Sequence, residues 1–190
     1  MRPTLVIMVK EPRPGRVKTR LGRDIGRIAA AWWFRHQTRR LLRIVAGDRR
    51  WTTLLAVSPD HEGQASRVWP GHLDRISQGG GNLGERMRRV FRQAPVGPVL
   101  VVGSDIPGLT RHHIARAFQL LGAADAVLGP ATDGGYWCIG LRRGRIPPPG
   151  LFRGVRWSTE HAMADTCASL GAARIRFANQ LSDVDTAADL

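Results

Sequence analysis

Thr4-Leu-Val-Ile-Met-Val-Lys10-Glu-Pro-Arg-Pro-Gly15-Arg-Val-Lys18-Thr-Arg20 opens with an unbroken apolar run and passes at once into a loop rich in proline and basic residues. A short run of β-formers without polar alternation is the mark of a strand buried on both faces, as in a parallel sheet layered by helices. The loop after it is where open α/β sheets collect ligands, outside the carboxyl end of a strand. It also holds both lysines of a chain that carries 29 Lys and Arg residues in all. A chain that writes its other positive charges as Arg has reason to place a compact, flexible point charge at Lys10 and Lys18. Lysine beside a glycine-turned loop is a phosphate-handling arrangement, with Gly15 permitting the turn and the prolines stiffening the approach.

Outward from this stretch, the strand, loop and helix rhythm repeats. Gly26 to Gly47 carries a helical pattern through Ile28, Ala31, Trp32, Phe34, Leu41, Leu42 and Val45, with arginines on much of its other face. Strands are predicted at Thr52 to Ser58, Leu73 to Ser77, Pro98 to Asp105 and Asp125 to Gly129. Helices are predicted at Glu62 to Trp69, Leu83 to Arg92, from a Thr110 cap to Leu121, and from Ser158 to Leu170. After Pro130 the rhythm breaks: Gly135 to Leu141 reads as a strand, and Ala173 to Ala178 as a late one. Alternating elements imply a single α/β domain over residues 1–190. Its architecture is a three-layer α/β/α sandwich around a mostly parallel sheet, with one antiparallel strand drawn from the irregular region.

Composition bounds the class of protein. At 190 residues, with 43% hydrophobic and 23% charged, the chain is ordinary globular material. No apolar run is long enough to span a bilayer or form a signal-peptide core, so a cytoplasmic protein is expected. Cys138 and Cys167 match no metal spacing and read as reduced, packed thiols. The six histidines lack partners at zinc spacing, and no nucleophile motif supports covalent catalysis. The net charge of +14 raises nucleic acid as a partner, but the arginines are spread along the chain without a basic tail. No specific nucleic acid is therefore expected; the field suits anionic small molecules.

Five places after strands can carry chemistry. In the first loop Lys10, Arg13, Lys18 and Arg20 can converge on a di- or triphosphate; the spacing is neither a P-loop nor G-x-G-x-x-G. Ser104-Asp105-Ile-Pro107 puts a carboxylate where a buried strand reaches solvent, suited to a hard divalent cation or else to capping a turn. Gly129-Pro-Ala-Thr-Asp-Gly-Gly-Tyr136 offers Asp133 as an acceptor, with Gly134 and Gly135 letting a ligand approach the backbone, or forms an ordinary Asp-Gly turn. Gly79-Gly-Gly-Asn-Leu-Gly84 opens a helix with free amides, or is a flexible linker. Asp183-Val-Asp185 can place two carboxylates on one side of a strand to share a metal, or Asp185 can cap a last helix.

Taken together, Val9 to Leu21, Gly81-Asn-Leu-Gly-Glu-Arg-Met87, Gly103-Ser-Asp-Ile-Pro-Gly-Leu109, Gly129 to Tyr136, Leu151 to Thr159 and Asp183 to Leu190 resemble the DUF2064 family. These are glycosyltransferase-like proteins also called radical-SAM/selenodomain-associated transferase 1. The family is similar to phospholactate guanylyltransferases and molybdenum-cofactor nucleotidyltransferases, which have the nucleotide-diphospho-sugar transferase (GT-A, Rossmann-like) fold. That resemblance implies transfer of a nucleotidyl or glycosyl group from a nucleoside triphosphate or nucleotide-sugar to a small acceptor, with Mg2+ or Mn2+. It implies phosphate contacts from Lys10, Arg13, Lys18 and Arg20, and a nucleobase near Asn82 and Gly84. Asp105 would be the principal metal ligand, with Asp183 or Asp185 as the second, and Asp133 to Tyr136 would face the acceptor, Asp133 as the best choice of base. The first loop departs from the relatives' glycine-rich pattern by using prolines. Two other classes remain: a nucleotide-binding module without turnover, and a nucleic-acid-binding protein.

Overall fold

A computed structural model of the chain describes residues 2–143 and 147–190. The chain order is β1 (Thr4–Lys10), α1 (Leu21–Asp24), α2 (Arg27–Val45), β2 (Thr52–Ser58), α3 (Asp60–Ala65), β3 (Arg75–Ser77) and α4 (Leu83–Gln93). Then come β4 (Gly97–Val102), α5 (Arg111–Gly122), β5 (Ala126–Pro130), β6 (Tyr136–Arg143), α6 (Ala162–Ser169), β7 (Ile175–Phe177) and a closing 3-10 turn, Ala187–Asp189.

The strands form a seven-stranded sheet in the order β3-β2-β1-β4-β6-β5-β7. β1 is parallel to β2 and β4, and β2 to β3. Only β6 is reversed, antiparallel to both β4 and β5, while β7 runs parallel to β5. This is the mostly parallel mixed sheet expected, and the reversed strand comes from the irregular region after Pro130.

Alternation along each central strand explains why the apolar runs are unbroken. Leu5, Ile7 and Val9 join Leu55, Val57, Leu100 and Val102 in a core with Phe34, Leu41 and Ile114 of α2 and α5. The intervening Val6 and Ala56, with Val99 and Val101, face the opposite layer against Met87, Val90 and Phe91 of α4. A third, smaller cluster of Leu21, Ala30 and Val184 fastens the final segment to α1 and α2.

Several boundaries differ from the sequence reading, each for a local reason. The helix predicted from Ser158 begins at Ala162, because Ser158 has φ of 61° and cannot continue a right-handed helix. The short helix expected at Glu62 to Trp69 occupies Asp60–Ala65, and Trp69 instead turns into the core at 3% exposure. Four-residue α1 was not predicted at all. Ile28 and Trp32, counted in the apolar pattern of α2, lie outside the core, which is set by Ala30, Ala31, Phe34, Leu41, Leu42 and Val45. Thr110 does cap α5, in a reciprocal pair with His113. Cys138 and Cys167 are free thiols, and burial raises the pKa of each.

Candidate functional site

The carboxyl ends of β1 and β4 are neighbours in the sheet, so the loops that follow them share one rim. On that rim the ammonium of Lys18 sits 2.6 Å from Asp105 Oδ2 and 2.9 Å from Asp185 Oδ1. Its side chain is only 7% exposed. Burial alone would lower the Lys18 pKa, but charge and hydrogen bonding from Asp105 and Asp185 outweigh it and hold the ammonium above the ordinary lysine value. Lys18 reaches this position from a left-handed backbone, φ 43°, an uncommon conformation for a residue with a side chain. Arg20 donates to the second oxygen of Asp185 at 3.0 Å, so that carboxylate is held from two sides.

Asp183 is half-buried and feels the negative charges of Asp105, Asp185 and Asp133. Burial first, then those neighbours, raise its pKa against the pull of Lys18. The other expected role for this segment falls elsewhere: Thr186 is the cap residue of the closing turn, and Asp189 Oδ2 accepts from the amides of Asp185 and Thr186 and from the Thr186 hydroxyl. Asp185 is thereby left to Lys18 and Arg20. Among the described residues no group of three or more His, Cys, Asp and Glu side chains is placed to hold a metal ion, so a cation here would rest on one or two carboxylates and its other ligands.

The rest of the first loop is divided between two directions. Arg13 pairs with Glu62 of α3 at 2.8 Å, and Arg16 shares the same carboxylate at 3.1 Å. Arg13 is therefore turned toward α3. Lys10 ends β1 without an ion pair among the described residues, its pKa lowered by burial and by Arg86 and Arg16 nearby. Gly15 has φ of 75° and a hypothetical Cβ would lie 3.5 Å from Arg27 Cδ, so the loop folds closely over the start of α2. A cleft of about 540 Å3 opens there, lined by Gly15, Lys18, Thr19, Arg23 and Arg27 among others.

The glycine loops turn out to be constrained by packing. Asn82 Oδ1 accepts from the Glu85 amide at 3.0 Å while Glu85 returns the bond to the Asn82 amide, a capping box that starts α4. A Cβ on Gly84 would meet Trp157 at 2.7 Å and Phe152 at 2.8 Å. Gly134 has φ of 84° and lies against the Glu160 backbone, and Asp133 Oδ1 accepts from the Gly135 amide at 2.9 Å in a tight turn. Asp133 remains exposed and close enough to influence Asp183. Tyr136 points away to α6, where its hydroxyl accepts from Thr166 at 3.3 Å, and burial raises its pKa.

Three contributors were not singled out from the sequence. Glu62 anchors the loop arginines, a role with no local signal because Glu62 lies beyond β2. Gln78 is buried and donates to Val9 O at 3.1 Å and Ala56 O at 2.7 Å, tying the ends of β1 and β2 together. Glu11, beside Lys10, buries a carboxylate oxygen that has no hydrogen-bond partner among the described residues. Its position next to the lysine was the one available hint.

The mixed sheet with its single reversed strand, layered by helices and bearing its polar rim at strand ends, defines a fold of the nucleotide-diphospho-sugar transferase and nucleotidyltransferase type. The chain belongs to DUF2064, described as an uncharacterized protein conserved in bacteria, whose profile matches residues 41–159. A candidate nucleotide-diphospho-sugar transferase from Desulfovibrio desulfuricans G20 is 30% identical, with 98% of this chain and 84% of that one covered, at a TM-score of 0.83. Rv0371c of Mycobacterium tuberculosis H37Rv, solved with manganese, shares the fold at 16% identity and a TM-score of 0.57, covering 100% of this chain and 95% of that one. CMP:2-keto-3-deoxy-manno-octonic acid synthetase, solved with CTP, does so at 12% identity and a TM-score of 0.62, covering 99% and 95%. No curated protein matches the chain.

Proposed function

We propose that this chain is a divalent-cation-dependent transferase that moves a nucleotidyl or glycosyl group from a nucleotide donor to a small acceptor. The observation that carries this reading is the Lys18 ammonium lodged between Asp105 and Asp185 at the mouth of the parallel strands. Two carboxylates close enough to share one ammonium suit a Mg2+ or Mn2+ ion. Such an ion keeps several waters and needs only one or two protein carboxylates beside donor phosphates. Asp183 adds to the fit: a carboxylate whose proton is held by burial first and then by three neighbouring negative charges gains from a nearby cation. The structures of relatives with manganese and with CTP are in keeping with it.

Asp105 with one of Asp183 and Asp185 would hold the cation, which when bound would neutralise donor phosphate charge at the reacting centre. Lys18, freed from the carboxylates, would turn to the phosphates together with Lys10 and Arg20. Lys10 stands ready for this because its charge is opposed by Arg86 and Arg16 and answered by no carboxylate among the described residues. The side-chain Nδ2 of Asn82, not used in its cap, would border the nucleobase, with buried Gly84 setting the helix start beneath it. Asp133, exposed at the rim, would take the acceptor's hydroxyl proton. With a triphosphate donor the acceptor oxygen bonds to the α-phosphorus and pyrophosphate leaves; with a nucleotide-sugar the bond forms at the anomeric carbon and a nucleoside diphosphate leaves. Localisation in the cytoplasm, where such donors are made, belongs to the same proposal.

The test is a panel of nucleoside triphosphates and nucleotide-sugars, each measured by thermal shift with and without Mg2+. A donor at 100 times its dissociation constant should stabilise the protein by about 2.7 kcal/mol. Release of pyrophosphate or of nucleoside diphosphate then assigns the reaction. Asp105→Ala should remove the Mg2+-dependent part of the shift; an unchanged shift would sink the assignment.

A further inference from the structure

Apart from Arg27, which borders the cleft, the exposed face of α2 plays no part in the site described above, and its chemistry is unusual. In 19 residues the helix carries five arginines, Arg27, Arg35, Arg39, Arg40 and Arg43, and no acidic residue. None of the five makes an ion pair among the described residues. Toward the helix start the same side presents Ile28 and Trp32, 67% and 56% exposed, one turn apart. The Trp32 ring stacks on His36 at 5.4 Å and lies under the Arg35 guanidinium at 5.8 Å. With Pro12, Pro14 and Ala31 it forms a shallow apolar notch of about 110 Å3.

We propose that this face docks on an anionic phospholipid surface, with Ile28 and Trp32 entering the headgroup boundary and the arginines meeting lipid phosphates. Exposed Trp and Ile beside unpaired arginines is the pattern of an interfacial helix, where apolar area and attraction to acidic lipid act together. Charge selects this occupant over the alternatives. A second copy of the chain would set five arginines against five. A nucleic acid would satisfy the arginines but has no use for Ile28 or the prolines, and it finds the Trp32 indole already engaged by His36 and Arg35. Pro12 and Pro14 belong to the loop that follows Lys10 and leads to Lys18, so the docked face adjoins the candidate site.

The experiment is co-sedimentation of the full chain with phosphatidylcholine vesicles containing or lacking phosphatidylglycerol, at low and high salt. The intact protein should sediment with the anionic vesicles, release in salt, and ignore pure phosphatidylcholine. Arg39→Gln with Arg43→Gln should weaken binding on the order of tenfold or more, since each basic residue near the surface contributes about fivefold. Ile28→Ser with Trp32→Ser should also cost about tenfold or more, through lost apolar burial, and should melt like the parent because both side chains are exposed. Brominated acyl chains should quench the intact protein's fluorescence, and Trp32→Phe should remove that quenching. Four results overturn the proposal: no binding to anionic vesicles at low salt, equal binding to neutral ones, full binding by the double serine variant, or preferential capture of single-stranded RNA over vesicles. A concentration-dependent dimer abolished by the double serine variant would instead assign the face to self-association and overturn it equally.

Discussion

Replacing Lys18 by Met removes an ammonium from between two carboxylates while keeping the length and apolar stem of the side chain. Breaking a buried ion pair by deleting one partner costs about 3–5 kcal/mol. The carboxylates of Asp105 and Asp185 are 28% and 37% exposed, and water at that rim screens the loss. We therefore expect a destabilisation of about 1–3 kcal/mol, and a melting temperature lower by a few degrees per kcal/mol at this chain length. The same deletion has the opposite effect on a divalent cation. In the parent protein an incoming ion must displace the ammonium; in Lys18→Met it meets the carboxylates uncompensated. Mn2+ alone should bind the variant more tightly by about 5- to 150-fold, the equivalent of 1–3 kcal/mol. Mn2+ with a nucleotide should bind it less tightly than the parent, because the phosphates lose their lysine. Titration followed by electron paramagnetic resonance of free Mn2+ reads both quantities. If Mn2+ alone binds Lys18→Met no more tightly than the parent, lysine and cation do not share a place and the reasoning fails.

Asp183→Asn should raise the apo melting temperature at neutral pH and weaken Mn2+ binding, since it removes a charge that its neighbours oppose. Because the folded state holds the Asp183 proton more tightly than the unfolded chain, that contribution to stability is full below the ordinary carboxylate pKa. It fades as pH rises through the raised value; a pH series of melts that is flat for Asp183 across this window would contradict it. Lys18→Arg keeps the charge but brings a planar fork into a place that is 7% exposed and shaped to one nitrogen, so donor binding should fall about tenfold or more by thermal shift. Gly134→Ala would put a Cβ 2.4 Å from the Glu160 carbonyl oxygen at φ 84°, costing about 2–4 kcal/mol in urea denaturation; an unchanged midpoint would show that the turn gives way.

How much of this was legible in the chain depends on whether the cause is local. β1 and β4 could be read because strands covered on both faces must be apolar at every position. The start of α5 could be read because Thr110 acts on its own next turn. Ile28 and Trp32 misled because periodicity counts apolar residues without saying which side is covered, and in α2 the covered side runs through Ala30, Phe34 and Leu41. Asn82 and Gly84 are read from the sequence as bordering a nucleobase. The constraints visible in the structure are a helix cap and the approach of Trp157, a residue from a distant segment. Residue spacing picks out Lys18, Asp105 and Asp185 one by one and the family resemblance groups them; the sheet order, with β1 beside β4, is what brings their loops to one rim.

The Lys18 to Asp185 contact joins residues 167 positions apart. Loop closure over such a separation is entropically costly and must be completed before either partner gains from the other. The site is thus among the last features a folding chain can assemble, and the first to report that its two ends have parted. Any ligand gripping the lysine loop and the late aspartates together would act as a reversible staple across nearly the whole polypeptide. Donor binding should accordingly slow unfolding of the entire sheet, not merely quiet one loop.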